Sequence, residues 1–360
     1  MVKRTMVLST EWAQVEVVDL TNDDTFVTEM WVPNLPITVI TGIAAGAGAL
    51  CIFKDMYGGP PFDRKVMAEG KTVIITGAND GIGKEASWEF AKRGAKVFMA
   101  CRDMTKCEAV RREIVLETSN KFVYCRPCDL ASLASVRTFV KRFKEEEPKL
   151  DILVNNAAVM ETPAGVTKEG FETQLGVNHM GHFLLTNLLL DTLKASAPSR
   201  VIVVTCDAHR RGDIYKEDLN MSKKYDPHTA YCQSKLANVL FARELGRRML
   251  ETGVAVSAVD PGFSDTNLTR HMPMSKSVTR FIIYPLFWPV MKLARTGAQT
   301  VLHAALDPQL ADSAGDYYVD MKLAKPSEKA QDYELALWLW KVSEKWTRLN
   351  DKGVLKASAA

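Results

Sequence analysis

Residues 72–83 constrain this chain more than any other stretch. The β-branched run Thr72-Val73-Ile74-Ile75-Thr76 leads straight into Gly77-Ala78-Asn79-Asp80-Gly81-Ile82-Gly83, where a helix is expected to begin at about Ile82. Glycine is needed where a backbone turns tightly and approaches a pyrophosphate with no Cβ in the way. The helix N-terminus then offers free N–H groups and partial positive charge to phosphates. Strand, glycine turn and helix in this order predict a dinucleotide site built on Gly77, Asn79, Asp80, Gly81, Ile82 and Gly83. A glycine cluster alone is often an ordinary turn, so the rest of the chain must support it.

It does so first through alternation. Apolar runs at 72–76, 95–101, 122–127, 150–154, 200–205, 254–259 and 316–319 are separated by amphipathic stretches, for example 82–93, 132–146, 226–249 and 328–345. Strand–helix alternation predicts an α/β fold, a doubly wound, mostly parallel, seven-stranded sheet of Rossmann type covered on both faces. Runs such as Val201-Ile202-Val203-Val204 are continuously apolar, as strands buried on both sides require. With 360 residues and 47% hydrophobic content, the chain can bury a full core. No second composition regime follows residue 70, so one domain is expected over 71–346, with a tail at 347–360. The formal net charge of +3 gives no reason to expect a nucleic-acid partner.

The ends of the strands carry the other cofactor expectations. Arg102 follows the second strand, beside the place where an adenosine ribose would lie. A base there suits a 2′-phosphate and so favours NADP over NAD, although Asp80 would face the same phosphate. Asp129 and Leu130 follow the third strand and are placed to touch adenine. Asn156 and Ala157 close the fourth, near the nicotinamide ribose.

Chemistry enters with Tyr231 and Lys235, one helical turn apart in Tyr-Cys-Gln-Ser-Lys. An unperturbed tyrosine has a pKa near 10 and is a poor base at neutral pH. A lysine on the same face favours phenolate and can hydrogen-bond a ribose. Tyr231 then acts as general acid in carbonyl reduction and as general base in alcohol oxidation. A Tyr-x-x-x-Lys pair is common; its position after the glycine turn gives it meaning.

The seven cysteines are scattered and odd in number, which predicts free thiols in a reducing compartment. Cys125 and Cys128 are expected as half-buried thiols at a strand end rather than zinc ligands, and no metal site is expected.

From Met30 to Phe53 the chain has no charged residue, and 34–54 is long enough for a transmembrane anchor. A buried helix accounts for the same run. Asp23, Asp24 and Glu29 precede it, while Lys54, Arg64, Lys65 and Lys71 follow, so the positive-inside rule places the main body in the cytosol. Residues 1–33, with six acids and two bases, are expected to be a disordered acidic tail, and 55–70 a linker.

Together the motifs Thr-Gly-Ala-Asn-x-Gly-Ile-Gly-Lys-Glu (76–85), Ala-Cys-Arg-Asp (100–103), Val-Asn-His-Met-Gly-His-Phe (177–183), Ala-Tyr-Cys-Gln-Ser-Lys-Leu-Ala-Asn (230–238) and Pro-Gly-Phe-Ser-Asp-Thr (261–266) resemble a short-chain dehydrogenase/reductase over residues 70 to about 346. More narrowly, they resemble the membrane-anchored microsomal retinol dehydrogenases and their insect relatives. The resemblance implies that Asn178 holds a proton-relay water to Lys235. It also implies that Pro261, Gly262 and Thr266 contact the cofactor.

One departure matters. Where the family has a serine that polarises the substrate oxygen, this chain has Cys206, in Thr205-Cys206-Asp207. A thiol is a weak donor. Thr205 could substitute only if the strand were bulged, because successive strand side chains point to opposite faces. Ala158 stands in place of a family glycine. An apolar, aromatic stretch at 281–289 suits a lid over a lipophilic substrate and a dip into a membrane surface; helix–helix core or a homodimer contact accounts for it equally. His179 and His182 show no metal-ligand spacing and are expected as core or surface histidines. The expected protein is a membrane-bound, NADP-dependent reductase of the endoplasmic reticulum, acting on a retinal-like carbonyl. The alternative is a catalytically impaired NADP-binding scaffold or sensor.

Overall fold

A computed structural model describes residues 61–63, 65–262 and 292–351, with short pieces at 7–8, 13–14, 41–42, 45–46, 48, 50, 264–265 and 268. The chain divides into two compact units, Met1–Phe53 and Lys54–Ala360. In the first, Val7–Leu8 pairs antiparallel with Ala13–Gln14, and positions 41, 42, 45, 46, 48 and 50 are helical. Among the described residues no helix is long and apolar enough to cross a membrane. Most of the expected tail and of the expected anchor at 34–54 lies outside the described residues, as do Thr266 and the entire stretch at 281–289.

The second unit is built on one sheet. Its strands are β1 (Thr72–Thr76), β2 (Lys96–Cys101), β3 (Val123–Pro127), β4 (Ile152–Asn155), β5 (Ser199–Val204), β6 (Val254–Asp260), β7 (Ala314–Val319) and β8 (Lys322–Ala324). Their spatial order is 3-2-1-4-5-6-7-8, parallel except for β8. The helices are α1 (Gly81–Lys92), α2 (Met104–Thr118), α3 (Leu133–Glu146), α4 (Gly181–Ala195), α5 (Pro227–Arg248), α6 (Ala294–Leu306) and α7 (Tyr333–Thr347). The order reverses between β1 and β4, and ligands of such sheets bind at that crevice.

Period-two alternation sends side chains to two cores. Ile74, Phe98, Leu153, Val201 and Val256 point to the layer of α3, α4, α5 and α7. Val73, Ile75, Met99, Val154 and Ile202 point to the layer of α1, α2 and α6. Each such buried apolar side chain contributes about 1.5–3 kcal/mol.

The sheet has eight strands rather than the seven expected. β8 folds back on β7 through a two-residue turn, Asp320-Met321, with φ of 51° and 62°. Two successive positive φ values define the hairpin turn whose twist matches paired strands, normally signalled by Asn-Gly or Asp-Gly. Met321 hides that signal.

The cysteine expectation also needs correction. Cys107 of α2 and Cys125 of β3 form a disulfide with a Cα–Cα distance of 6.0 Å. Cys101, Cys128, Cys206 and Cys232 are free. Cys125 and Cys128 are fully buried rather than half-buried. The bridge spans 18 residues; in the chain-entropy picture a loop of that size stabilises by about 3 kcal/mol. Peptide mapping without reductant is expected to recover the 107–125 cross-link, and Cys107→Ser to lower the melting temperature. Alkylation of both thiols in the native, unreduced protein would refute the bridge.

Candidate active site

The glycine turn closes against its own fold. Gly77 has φ +63°, and a Cβ there would lie 2.9 Å from Ala157 Cα. At Gly83 a Cβ would meet Gly77 O at 2.3 Å and Asn156 Nδ2 at 2.5 Å. Only glycine allows this turn to fold under the end of β4, and the N-terminus of α1 is left facing the crevice. A pyrophosphate fits such a cradle. Asp80 caps α1: its exposed carboxylate accepts from Gly81 N at 2.7 Å. Asn156 donates through Nδ2 to Thr76 O at 2.9 Å, tying β4 to β1. Below the turn, the Cys101 sulfur accepts from the backbone N–H groups of Ala78 and Asn79, yet burial pushes its thiol up to about 12.

Arg102 and Asp103 diverge at the end of β2. Both are exposed, but Asp103 accepts from Lys106 N at 3.1 Å and caps α2. Its carboxylate is thus committed to a helix, whereas Arg102 is exposed at the end of β2. Asp129 accepts from Ala131 N at 3.1 Å, and the Leu130 carbonyl lies against the start of α4, where a Cβ on Gly181 would meet it at 2.6 Å. Pro261 is buried; Gly262, with φ +76°, donates to Asp260 Oδ1 at 2.8 Å.

Helix α5 carries the reactive pair. Asp226 caps it by accepting from Thr229 N, and Pro227 begins it, a favoured start. Tyr231 and Lys235 are both buried. The Lys235 ammonium lies 5.6 Å from the centre of the Tyr231 ring and donates to Val204 O at 3.4 Å. The Tyr231 hydroxyl instead meets Cys206 Sγ at 3.4 Å.

Burial dominates the shifts of both groups, against expectation. It pushes the Tyr231 phenol well above its usual value near 10, and the neighbouring Cys206 and Asp260 push the same way. Burial also pulls Lys235 down, partly offset by Cys206 and Asp260. Lys235 is not among the leading influences on Tyr231; its ammonium lies over the ring and donates to the Val204 carbonyl. Cys206 is held up as well, burial outweighing the Lys235 charge and the Tyr231 hydrogen bond.

The Thr205 hydroxyl cannot replace the missing serine. It points away into the core and donates to Lys235 O at 3.0 Å, fastening β5 to α5. Cys206, in extended backbone at φ −163°, turns its sulfur to the phenol. Asn178 lies in a π-helical turn, Gly176–Met180, and is fully buried. Its side chain accepts from Val159 N at 2.8 Å and donates to Val159 O and Ser234 Oγ, both at 2.9 Å. That places it one residue from Lys235 along α5, with no direct bond between them.

One neighbour of the pair escaped the sequence. Asp260 accepts from Tyr317 Oη at 2.9 Å, yet burial still pushes its carboxyl up. An acid ending an otherwise apolar strand just before Pro-Gly was the available signal. His179 and His182 are both core residues. His179 pairs with Ser343 Oγ at 2.8 Å, and burial pushes it down to about 3.

The geometry brings a phenol, a thiol and an ammonium together beside a dinucleotide cradle, which suits proton transfer coupled to hydride transfer. Comparison with known proteins agrees. The short chain dehydrogenase family matches residues 71–276. Retinol dehydrogenase 13 of Homo sapiens is 46% identical over 317 residues, covering 88% of this chain and 96% of that protein. Retinol dehydrogenase 12 of Homo sapiens is 47% identical over 290 residues, covering 81% and 90%. A crystal structure of an uncharacterized protein from Mycobacterium paratuberculosis has a TM-score of 0.65 at 36% identity, covering 80% of this chain and 98% of that one. A cofactor turn, a Tyr/Lys pair and this degree of likeness place the chain in the short chain dehydrogenase family, as an alcohol dehydrogenase-type oxidoreductase of its retinol dehydrogenase group.

Proposed function

We propose that this protein is an NADP-dependent oxidoreductase that interconverts a lipophilic alcohol and its aldehyde or ketone, with retinol and retinal as first candidates, and works as a reductase. The observation that carries the reading is the buried Tyr231 phenol against Cys206, with Lys235 over its ring. The bound nicotinamide supplies the hydride. Tyr231 donates the proton to the substrate oxygen, and Cys206 adds a weak second donor to the same oxygen. Lys235 supplies positive charge behind the phenol and a donor for the nicotinamide ribose. Asn178 holds the relay water to Lys235. Burial keeps the phenol in the protonated form, the one that can donate; the reductase direction follows from the NADP assignment, since cytosolic NADP is held mostly reduced.

Arg102, with Asp103 committed to capping, supports NADP. Arg102→Ala is expected to weaken NADPH about tenfold while leaving NADH nearly unchanged, as for loss of one exposed charge-assisted hydrogen bond. Equal losses for the two nucleotides in a fluorescence titration would remove that assignment.

Residues 34–54 serve as the anchor and the flanking charges set the domain on the cytosolic face of the endoplasmic reticulum, where a lipophilic substrate reaches it from the bilayer. The apolar, aromatic composition of 281–289 suits contact with such a substrate. The deciding experiment is turnover of all-trans-retinal with NADPH in membranes that carry the full chain. Turnover that depends on Tyr231 is the expected result; none with any aldehyde or ketone would end the reading. Cys206 favours one rival, a nucleotide-binding, membrane-tethered scaffold or sensor with little turnover, and a Cys206→Ser variant separates the two.

A further inference from the structure

His182 connects two halves of the site that lie far apart in the chain. It is one helical turn after Asn178 and is 2% exposed. Its Nδ1 is 2.9 Å from Asn178 O, and its Nε2 is 2.8 Å from Thr76 Oγ1. A carbonyl only accepts, so Nδ1 carries the hydrogen and Nε2 of the neutral ring is the acceptor. The Thr76 hydroxyl therefore donates to His182, and its longer contact to Val154 O, at 3.4 Å, is secondary. The lone pairs of Thr76 Oγ1 remain free to accept from Asn156 N at 2.9 Å and Ala157 N at 3.0 Å. One tautomer satisfies every bond in this chain of groups.

Each end of the chain does something for the reaction. Thr76 ends β1 at the first residue of the glycine turn, and Asn156 and Ala157 are the loop on which Gly77 rests. Asn178 sits in a π-turn, where N–H groups arrive one residue late relative to an α-helix; Gly181 N bonds Gly176 O in this way. A side-chain N–H from His182 fixes the Asn178 carbonyl in that loosened stretch. Burial keeps the ring neutral by pushing it down to about 4, and the Lys235 charge adds to this.

We propose that His182 is a positioning residue, a neutral Nδ1–H imidazole that locks the Asn178 carbonyl to Thr76 and so holds the proton path and the cofactor cradle in one register. The proposal rests on the oxidoreductase reading above. Its two arms can be cut separately. Asparagine reproduces the Nδ1–H arm, as Asn187 of the same helix already does by donating to Phe183 O at 2.8 Å. Glutamine reaches toward Thr76 and abandons Asn178, and phenylalanine removes both arms at similar volume.

The test uses the full chain in membranes, with NADPH affinity from nicotinamide fluorescence, kcat with all-trans-retinal, and melting temperature. His182→Asn is expected to weaken NADPH about 5- to 10-fold, more than it lowers kcat. His182→Gln is expected to lower kcat about 10- to 100-fold, more than it weakens NADPH. His182→Phe should show both losses. A merely structural role would lower all melting temperatures while leaving no crossed pattern, and that result overturns the proposal even if His182→Phe fails to fold. Nitrogen NMR of histidine-labelled wild type supplies a readout free of turnover. An Nδ1–H ring at pH 7 whose Nε2 signal moves in Thr76→Val supports the inference; a charged or Nε2–H ring overturns it. An inactive wild type with that signal intact would sink the enzymatic reading and leave the positioning one standing.

Discussion

Tyr231→Phe is expected to lower kcat by about 10²–10⁴-fold while the protein still folds and still binds NADPH. On the proposed mechanism the phenol contributes its proton to the reaction, and it adds little to stability. Its hydroxyl bonds only weakly to the Cys206 sulfur, at 3.4 Å, so losing it costs about 1 kcal/mol or less. Phenylalanine keeps the ring against Lys235, Ala208 and Cys232. Unchanged melting and nucleotide affinity beside collapsed turnover would assign the proton to this residue. The pH profile carries a sign as well. Because burial raises the phenol above its usual value near 10, reduction should stay flat across neutral pH and fall only in strong alkali, where phenolate forms. A variant that keeps more than a tenth of wild-type turnover would show that the proton comes from elsewhere.

Cys206→Ser is expected to raise kcat by about 10²–10³-fold, the usual size of one good donor at a developing oxyanion. Serine Oγ offers a stronger, shorter hydrogen bond than sulfur does. The same change should leave stability within about 1 kcal/mol, because a serine hydroxyl can pair with the Tyr231 hydroxyl that the sulfur now meets. Rate rising with melting unchanged is hard to imitate by better folding. A gain from near zero favours the impaired scaffold or sensor. A wild type already turning over briskly, with a serine variant within threefold of it, would show that the thiol is no handicap and that another donor serves the substrate oxygen.

What the sequence disclosed and what it withheld follow physical lines. The glycine turn is legible because Gly77 and Gly83 answer a backbone demand that no other residue meets. The buried parallel strands are legible because Val201 to Val204 can be nothing but interior. Tyr231 and Lys235 are legible by place, not by type. What stayed hidden is decided through space. The Cys107–Cys125 bridge depends on how α2 packs on β3, and strand β8 depends on positive φ at Met321, which gives no compositional hint. The direction of the Tyr231 shift was misread because a lysine at i+4 suggests a charge effect, whereas burial of both groups dominates. His182 looked inert because its partners, Asn178 and Thr76, come from opposite sides of the sheet's switch point.

The π-turn at 176–180 contains one residue more than a regular helix would use for the same span. Deleting a residue there would let the helix heal into even winding at small cost in stability. The flanking turns would keep their places, because the extra residue is absorbed locally, and the segment that carries Asn178 would be rewound against His182. Here backbone regularity and a working site are opposed, and the irregular turn is the footprint of that conflict.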